Sequence, residues 1–283
     1  MTPLAPKKNI KGTSGMTESI HSLAALKRHI ATLDRAPAAE ASPRFSCGPA
    51  MMDAALGGGL AQGRVHEIFA SVEEEGAAAG LALLWMRQAG RDAPLLWLRN
   101  ATAVRVAGAP YGPGLAALGL DPQRLLIGMM ADDAMLLRAA VDALRCPALG
   151  ALLIDLRGPA PLLDLTASRR LALAAETSGV TALLLRIGGD PVPSAAETRW
   201  RVAAAPSAPL SGQAPGQSAF DITLLRRRAG PDGMTWRLYW DSNRGEFGDA
   251  ADERHDDDDI RDAPLSGAAF SLPGAGPAAG RAA

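Results

Sequence analysis

Lysine is almost missing from this chain: Lys7, Lys8, Lys11 and Lys27 are the four it has, and none follows position 27. Chemistry that needs an ammonium in the body of the protein, whether to grip a phosphate or to form a Schiff base, is therefore excluded there. Cysteine is equally scarce. Cys47 and Cys146 lie far apart with no CxxC spacing, which excludes a disulfide framework and reads as two small structural side chains in a reducing compartment. His21, His29, His66 and His255 show no metal-ligand spacing among themselves or with either cysteine, so no metal site is expected. Aromatic residues make up only 4% of the chain, and Ala, Leu and Val must supply the packing, as they do where helices cover a buried sheet. The longest uncharged apolar runs, LLIGMM at 125–130 and TALLL at 181–185, fall far short of the ~20 residues that cross a bilayer. No apolar stretch follows the basic N-terminus, so neither a membrane span nor a secretory signal is expected and the chain reads as cytoplasmic.

What is present is unevenly placed. The chain has a formal charge of −1, but Asp249, Asp252, Glu253, Asp256, Asp257, Asp258, Asp259 and Asp262 outweigh Arg254 and Arg261 to give segment 249–262 a charge of −6, leaving +5 elsewhere. A modestly basic body with an acidic tail suits contact with nucleic acid, a tail that competes for a basic site, or a plain solvated tail. Residues 1–16 read as a disordered leader, with Met1 or Met16 as the start. Ile20, Leu23, Leu26, Ile30 and Leu33 then recur at three or four residues and predict an amphipathic helix over 17–35. APAAEASP follows as a linker, 36–44. From 45 to 247 short apolar runs alternate with helical segments: strands at 65–70, 95–99, 125–129, 151–156 and 181–187, helices at 77–89, 114–118, 133–145 and 162–178. Such alternation predicts an α/β fold with a mostly parallel, doubly wound sheet. A strand at 199–204 and two more, 220–227 and 234–240, around the AGPDG turn predict a C-terminal antiparallel hairpin. Residues 248–283, acidic and then rich in Gly, Ala and Pro, carry too little apolar surface to order themselves.

Segment 45–70, FSCGPAMMDAALGGGLAQGRVHEIFA, carries the most specific signal. It resembles the opening of the RecA recombinase core, because Asp53, Leu56, Gly57, Gly58, Gly59, Gly63, Arg64 and Glu67 fall in the order found there. The resemblance implies a RecA-like core in which a glycine-rich turn leads to the first strand. In active ATPases of that type the strand runs into GxxxxGK[ST], whose amides cradle phosphates while the Lys reaches the outer two. Here the sequence reads ASVEEEGAAAGLALL from Ala70, with no Lys and no hydroxyl after Gly76 or Gly80. Glu73, Glu74 and Glu75 occupy the neighbourhood of a triphosphate, where like charges in a partly desolvated site repel it; the same acids suit the first turn of a helix. Asn100 stands about where the resemblance calls for the glutamate that polarises water, and an amide is no base. ALLIDL at 151–156 looks like a Walker B strand ending in Asp155, without phosphates to serve. Arg64 and Arg87 are the nearest cations and neither lies on the loop. The expected nucleotide site is thus degenerate at Ala70, Glu73, Glu74, Glu75, Gly76, Asn100 and Asp155, with no catalytic residue and no cofactor.

The decayed loop, the helix SLAALKRHIATLD (22–34) and the closing TRWRVAAAPS, FDITLLRRRAG and WRLYWD segments together resemble the ImuA family over roughly 17–248. That resemblance implies a RecA-like accessory of damage-induced translesion synthesis, nucleoid-associated during the response. Its implied partners are RecA and an ImuB-like inactive Y-family polymerase homologue, and indirectly an error-prone replicative-type polymerase. Leu23, Leu26 and Ile30 are the candidate partner-binding stripe, docking on the chain's own core being the alternative. Arg199, Trp200 and Arg201 with Arg226, Arg227 and Arg228 either form a basic and aromatic surface for single-stranded DNA or pack the terminal sheet. Three functions remain open at this point: a non-catalytic adaptor, a single-strand binder, and an active recombinase-type ATPase.

Overall fold

A computed structural model describes residues 42–207 and 216–248. The predicted leader, the 17–35 helix with Leu23, Leu26 and Ile30, most of the linker and the tail from 249 lie outside the described residues.

The apolar runs that read as buried strands become β3 (Val65–Ala70), β4 (Leu95–Asn100), β6 (Ala151–Arg157) and β7 (Thr181–Ile187). With β5 (Leu125–Met130), β8 (Thr198–Ala204), β9 (Ser218–Arg227), β10 (Thr235–Asp241) and β11 (Glu246–Gly248) they form one sheet in the order β11-β10-β9-β8-β3-β7-β6-β4-β5. Pairing is parallel from β5 to β8 and antiparallel from β8 to β11, so the doubly wound expectation and the C-terminal hairpin both hold. Ahead of the sheet, β1 (Arg44–Phe45) and β2 (Leu60–Ala61) make a small antiparallel pair around α1 (Ala50–Ala55). Gly57, Gly58 and Gly59 all have positive φ, and a Cβ on Gly59 would collide with the Phe45 carbonyl, so this turn needs glycine.

One face of the sheet is covered by α2 (Glu75–Gly90), which starts two residues before its predicted position. Its residues from Leu81 to Met86 are all buried, because β1, α1 and β2 wrap its outer side while the sheet takes the inner one. The Trp85 indole donates to the Cys47 carbonyl at 2.7 Å and meets Trp200 edge-on, with ring centroids 5.3 Å apart. Small residues allow the close approach: a Cβ on Gly150 would lie 2.7 Å from the Gly90 backbone. The other face carries α5 (Asp133–Leu144) and α6 (Leu165–Ser178), which bury Leu136, Ala140, Leu144, Leu171 and Ala175 on β6, β7 and β3. Asp132 caps the first of these through the Met135 amide, and Asp164 caps the second through that of Ala167, so α6 starts three residues after its expected position. Two short helices, α3 (Ala101–Ala107) and α4 (Gly112–Ala117), bridge β4 to β5; the first was not predicted, having one buried residue, Ala103, and hence no periodic stripe. Among the described residues no helix is long and apolar enough to cross a membrane.

A hydrogen-bonded chain locks β2, β3 and β8 together. The Trp200 indole donates to Thr198 Oγ1 at 2.7 Å, Thr198 Oγ1 donates to His66 Nδ1 at 2.8 Å, and His66 Nε2 donates to the Ala61 carbonyl at 2.9 Å. This order fixes the neutral imidazole, and burial lowers the His66 pKa from 6.5 to about 4. Because the unfolded chain protonates near pH 6.5 and the folded one does not, stability from this site is complete above that pH and is lost as pH falls towards 4. Relative to a His66→Gln variant, wild type is expected to lose about 3 kcal/mol across that window in chemical denaturation. Parallel stability curves for the two proteins would show that His66 titrates normally.

Candidate functional site

The carboxyl ends of β3, β4 and β6 converge where open α/β sheets place their ligands. Ala70 ends β3 and its carbonyl accepts from the Gly188 amide at 2.8 Å. The chain turns through 71–74 into α2, leaving Glu73 exposed and its carboxyl held below the usual range by the Ser71 hydroxyl and its own amide. Glu74 Oε2 accepts from the Ala204 amide at 2.6 Å, tying the turn to the end of β8. Glu75, the first residue of α2, forms an ion pair with Arg157 at the end of β6. The three acids therefore part company: one faces solvent, one binds backbone and one holds an arginine.

Asp155 sits 1% exposed beside them, and across the parallel ladder its partner is Arg99 of β4. Arg99 Nε donates to Asp155 Oδ2 at 3.1 Å, while its Nη1 and Nη2 reach the carbonyls of Gly108 (2.6 Å) and Ala103 (3.3 Å). The guanidinium also lies 4.7 Å from the Trp97 ring centroid. Burial raises the Asp155 pKa above the ordinary aspartate value, with Arg99 opposing the shift. Between this pair and α2 lies a cleft of about 340 Å³ lined by Val72, Glu75, Gly76, Trp97, Arg99 and the 107–110 segment. These residues do not fit a magnesium-bound phosphate. Asp155 already spends its charge on an internal cation, and Glu75 presents a second carboxylate at the mouth.

No protein-family model matches the chain. Over 209 residues it is 32% identical to Protein ImuA of Caulobacter vibrioides, in two strains, with 68% of this chain and 82% of that protein covered. The chain belongs to the ImuA family. Among solved structures it is similar to the RadB recombinase, with a TM-score of 0.51 at 15% identity, covering 72% of this chain and 99% of that one. This likeness establishes a RecA-like fold.

In this ImuA-family chain one expectation from sequence needs correction, and one alternative left open is decided. Asn100 does not face the cleft: its Oδ1 accepts from the Ala103 amide at 2.7 Å as the cap of α3, and its Nδ2 donates to Asp133 Oδ1 at 2.6 Å on the α5 side. The strand alternation that aims Arg99 at Asp155 sends Asn100 to the opposite face. Nor do the six basic and aromatic positions form one surface. Trp200 is fully buried between Trp85 and Trp236 and cannot stack on a base. Arg199 is 8% exposed and paired with Glu67 at 2.8 Å. Arg227 turns to the Ala55 carbonyl at 3.1 Å, Arg201 is exposed on β8, and only Arg226 and Arg228 share an exposed face. Arg99 and Arg157 escaped the sequence reading, although an arginine inside LLWLRN and an aspartate inside ALLIDL are two buried charges that need each other.

If the Arg99–Asp155 pair is structural, breaking it strands a buried charge. Arg99→Met or Asp155→Leu alone is expected to cost roughly 3–5 kcal/mol in urea denaturation, and the double variant to recover most of that loss. Additive losses in the double variant would mean the two side chains act independently.

Proposed function

We propose that this ImuA-family chain is a non-catalytic, RecA-like adaptor in DNA-damage-induced translesion synthesis. The observation that carries the proposal is the Arg99 guanidinium seated on Asp155, at the carboxylate that would otherwise hold a metal-bound nucleotide. Glu75 at the cleft mouth and the absence of lysine after Lys27 support it. The partners consistent with the family resemblance are an ImuB-like inactive Y-family polymerase homologue and RecA, with an error-prone replicative-type polymerase engaged through the former. Work in the cytoplasm, at the nucleoid during damage, follows from those partners.

An adaptor needs a surface to offer, and the sheet supplies one at β5. Leu126, Ile127 and Met129 are exposed on this edge strand, which carries no charge and no proline of the kind that usually protects an edge. A partner's extended segment can add to such an edge by main-chain hydrogen bonds, with the apolar side chains supplying specificity. The Leu23, Leu26 and Ile30 stripe is the second contact in this reading.

Two measurements test the proposal. A nucleotide-binding protein gains about 2.7 kcal/mol at a ligand concentration of 100 Kd, which a thermal melt resolves easily. Magnesium ATP at millimolar concentration is expected to leave the melting temperature unchanged, and micromolar binding with turnover would overturn the non-catalytic reading. Co-purification with the ImuB-like and RecA partners is expected to fail for Ile127→Lys with Met129→Lys, and to weaken for Leu23→Asp with Leu26→Asp. Undiminished capture by both variants would remove these surfaces from the proposal.

A further inference from the structure

The face covered by α5 and α6 carries arginines that the fold leaves unmatched. Arg138, Arg169, Arg170, Arg226 and Arg228 are exposed there, and none makes an ion pair or side-chain hydrogen bond with a described residue. Four acids near this face are already engaged: Asp142 holds Arg145 at 3.0 Å, Glu176 holds Arg64 at 2.7 Å, Asp164 caps α6 and Asp133 accepts from Asn100. A bulge brings the two β9 arginines to this side. Arg199 pairs with Arg226 and Trp200 with Leu224, so Leu225 is the extra residue and Arg226 falls on the same face as Arg199. Together with Arg169, Leu173, Glu176 and Ser194, Arg226 and Arg228 line a hollow of about 320 Å³. Beside it runs a groove of about 580 Å³ floored by Leu137, Val141 and Leu171, with Arg138, Arg145 and Arg170 at its rim.

We propose that this arginine face is the docking site of the chain's own acidic segment, 249–262. Charge complementarity is the first argument, since the segment carries −6 and includes the unbroken run Asp256, Asp257, Asp258 and Asp259. Direction is the second. β11 is antiparallel to β10 and β10 to β9, so the chain leaves Gly248 heading towards the end of the sheet where Arg226 and Arg228 stand. Reach is the third. Gly248 is level with Tyr239, and Tyr239 with Ala219, so with Leu225 bulged out Arg226 and Arg228 stand about six and eight strand steps further along. At about 3.3 Å per step, and adding two strand spacings of about 4.8 Å, the paths to Arg226 and Arg228 are roughly 22 and 28 Å, within reach of Asp256 to Asp259 at ~26–36 Å of extended chain beyond Gly248. This inference goes beyond the adaptor reading and does not rest on it.

The test uses the full chain. Cys47 is buried and Cys146, just beyond the end of α5, is exposed, so a spin label on Cys146 and a second on Ile260→Cys report the distance from the acidic segment to the face. At low salt the distribution is expected to be narrow, and to broaden at about 1 M salt, where the Debye length falls to about 3 Å. The combined Asp256→Asn, Asp257→Asn, Asp258→Asn and Asp259→Asn variant should lose the narrow component. So should Arg169→Ser with Arg226→Ser and Arg228→Ser, and since every substituted arginine is exposed, an unchanged thermal melt is expected to accompany that loss. A narrow distance that survives dilution with unlabelled chain supports docking within one molecule. Its disappearance on dilution would assign the segment to a second copy and overturn the proposal. A broad distribution in wild type, combined with an oligonucleotide shift that the arginine variant abolishes, would overturn it in favour of nucleic acid.

Discussion

One buried contact, Arg99 against Asp155, organises the carboxyl end of this sheet. The two residues face each other across the β4–β6 ladder, both almost wholly out of water, and neither could keep its charge there alone. Once paired, the guanidinium still has donors to spare, and they fasten the Ala103 and Gly108 carbonyls. That fixes where α3 ends and where the 107–110 segment runs, and hence the wall of the cleft. On the other side of the cleft Arg157 does the same for Glu75 and the start of α2. Two cations at this end of the sheet are thus matched within the fold, Arg99 by Asp155 and Arg157 by Glu75.

The body of the protein, with no lysine, leans on arginine as a connector. A planar fork with five donors can satisfy several carbonyls at once, which an ammonium on a flexible stem does less well. Arg44 binds the carbonyls of Leu56 and Gly59 across the glycine turn. Arg87, on α2, joins the carbonyls of Gly119 and Gly245, and its guanidinium lies over Trp240. Arg124 ties the start of β5 to the Arg91 and Ala93 carbonyls. Each bond closes a loop that would otherwise leave backbone oxygens unmatched. Against this pattern, Arg138, Arg169, Arg170, Arg226 and Arg228 on the α5–α6 face stand out because their forks close nothing among the described residues.

The parallel strands and, α3 apart, the helices between them were readable because each is a local signal: a short apolar run, a stripe, or an Asp ahead of a helix. The glycine turn at 57–59 was readable for the same reason, since its backbone has one chemical solution. What escaped was whatever depends on which residue stands opposite which. Asn100 and Arg99 are neighbours in sequence and point to opposite faces, so the position assigned to the degenerate nucleotide site is a helix cap. Trp200 could be read from sequence either as a base-stacking residue or as packing for the terminal sheet, and strand alternation decides for the α2 layer. The β11 strand and the β1–β2 pair, three and two residues long, exist only because a neighbouring strand is there to receive them.

The tryptophans add a property of their own. Trp85, Trp97, Trp200, Trp236 and Trp240 are all the tryptophans in the sequence, and every one belongs to the core on the α2 side of the sheet. The layer under α5 and α6 contains none. Intrinsic fluorescence therefore looks at one half of this molecule: a loosening of α5 and α6 would pass unseen in emission while remaining visible in circular dichroism. The two faces of a single sheet are optically separable without a label.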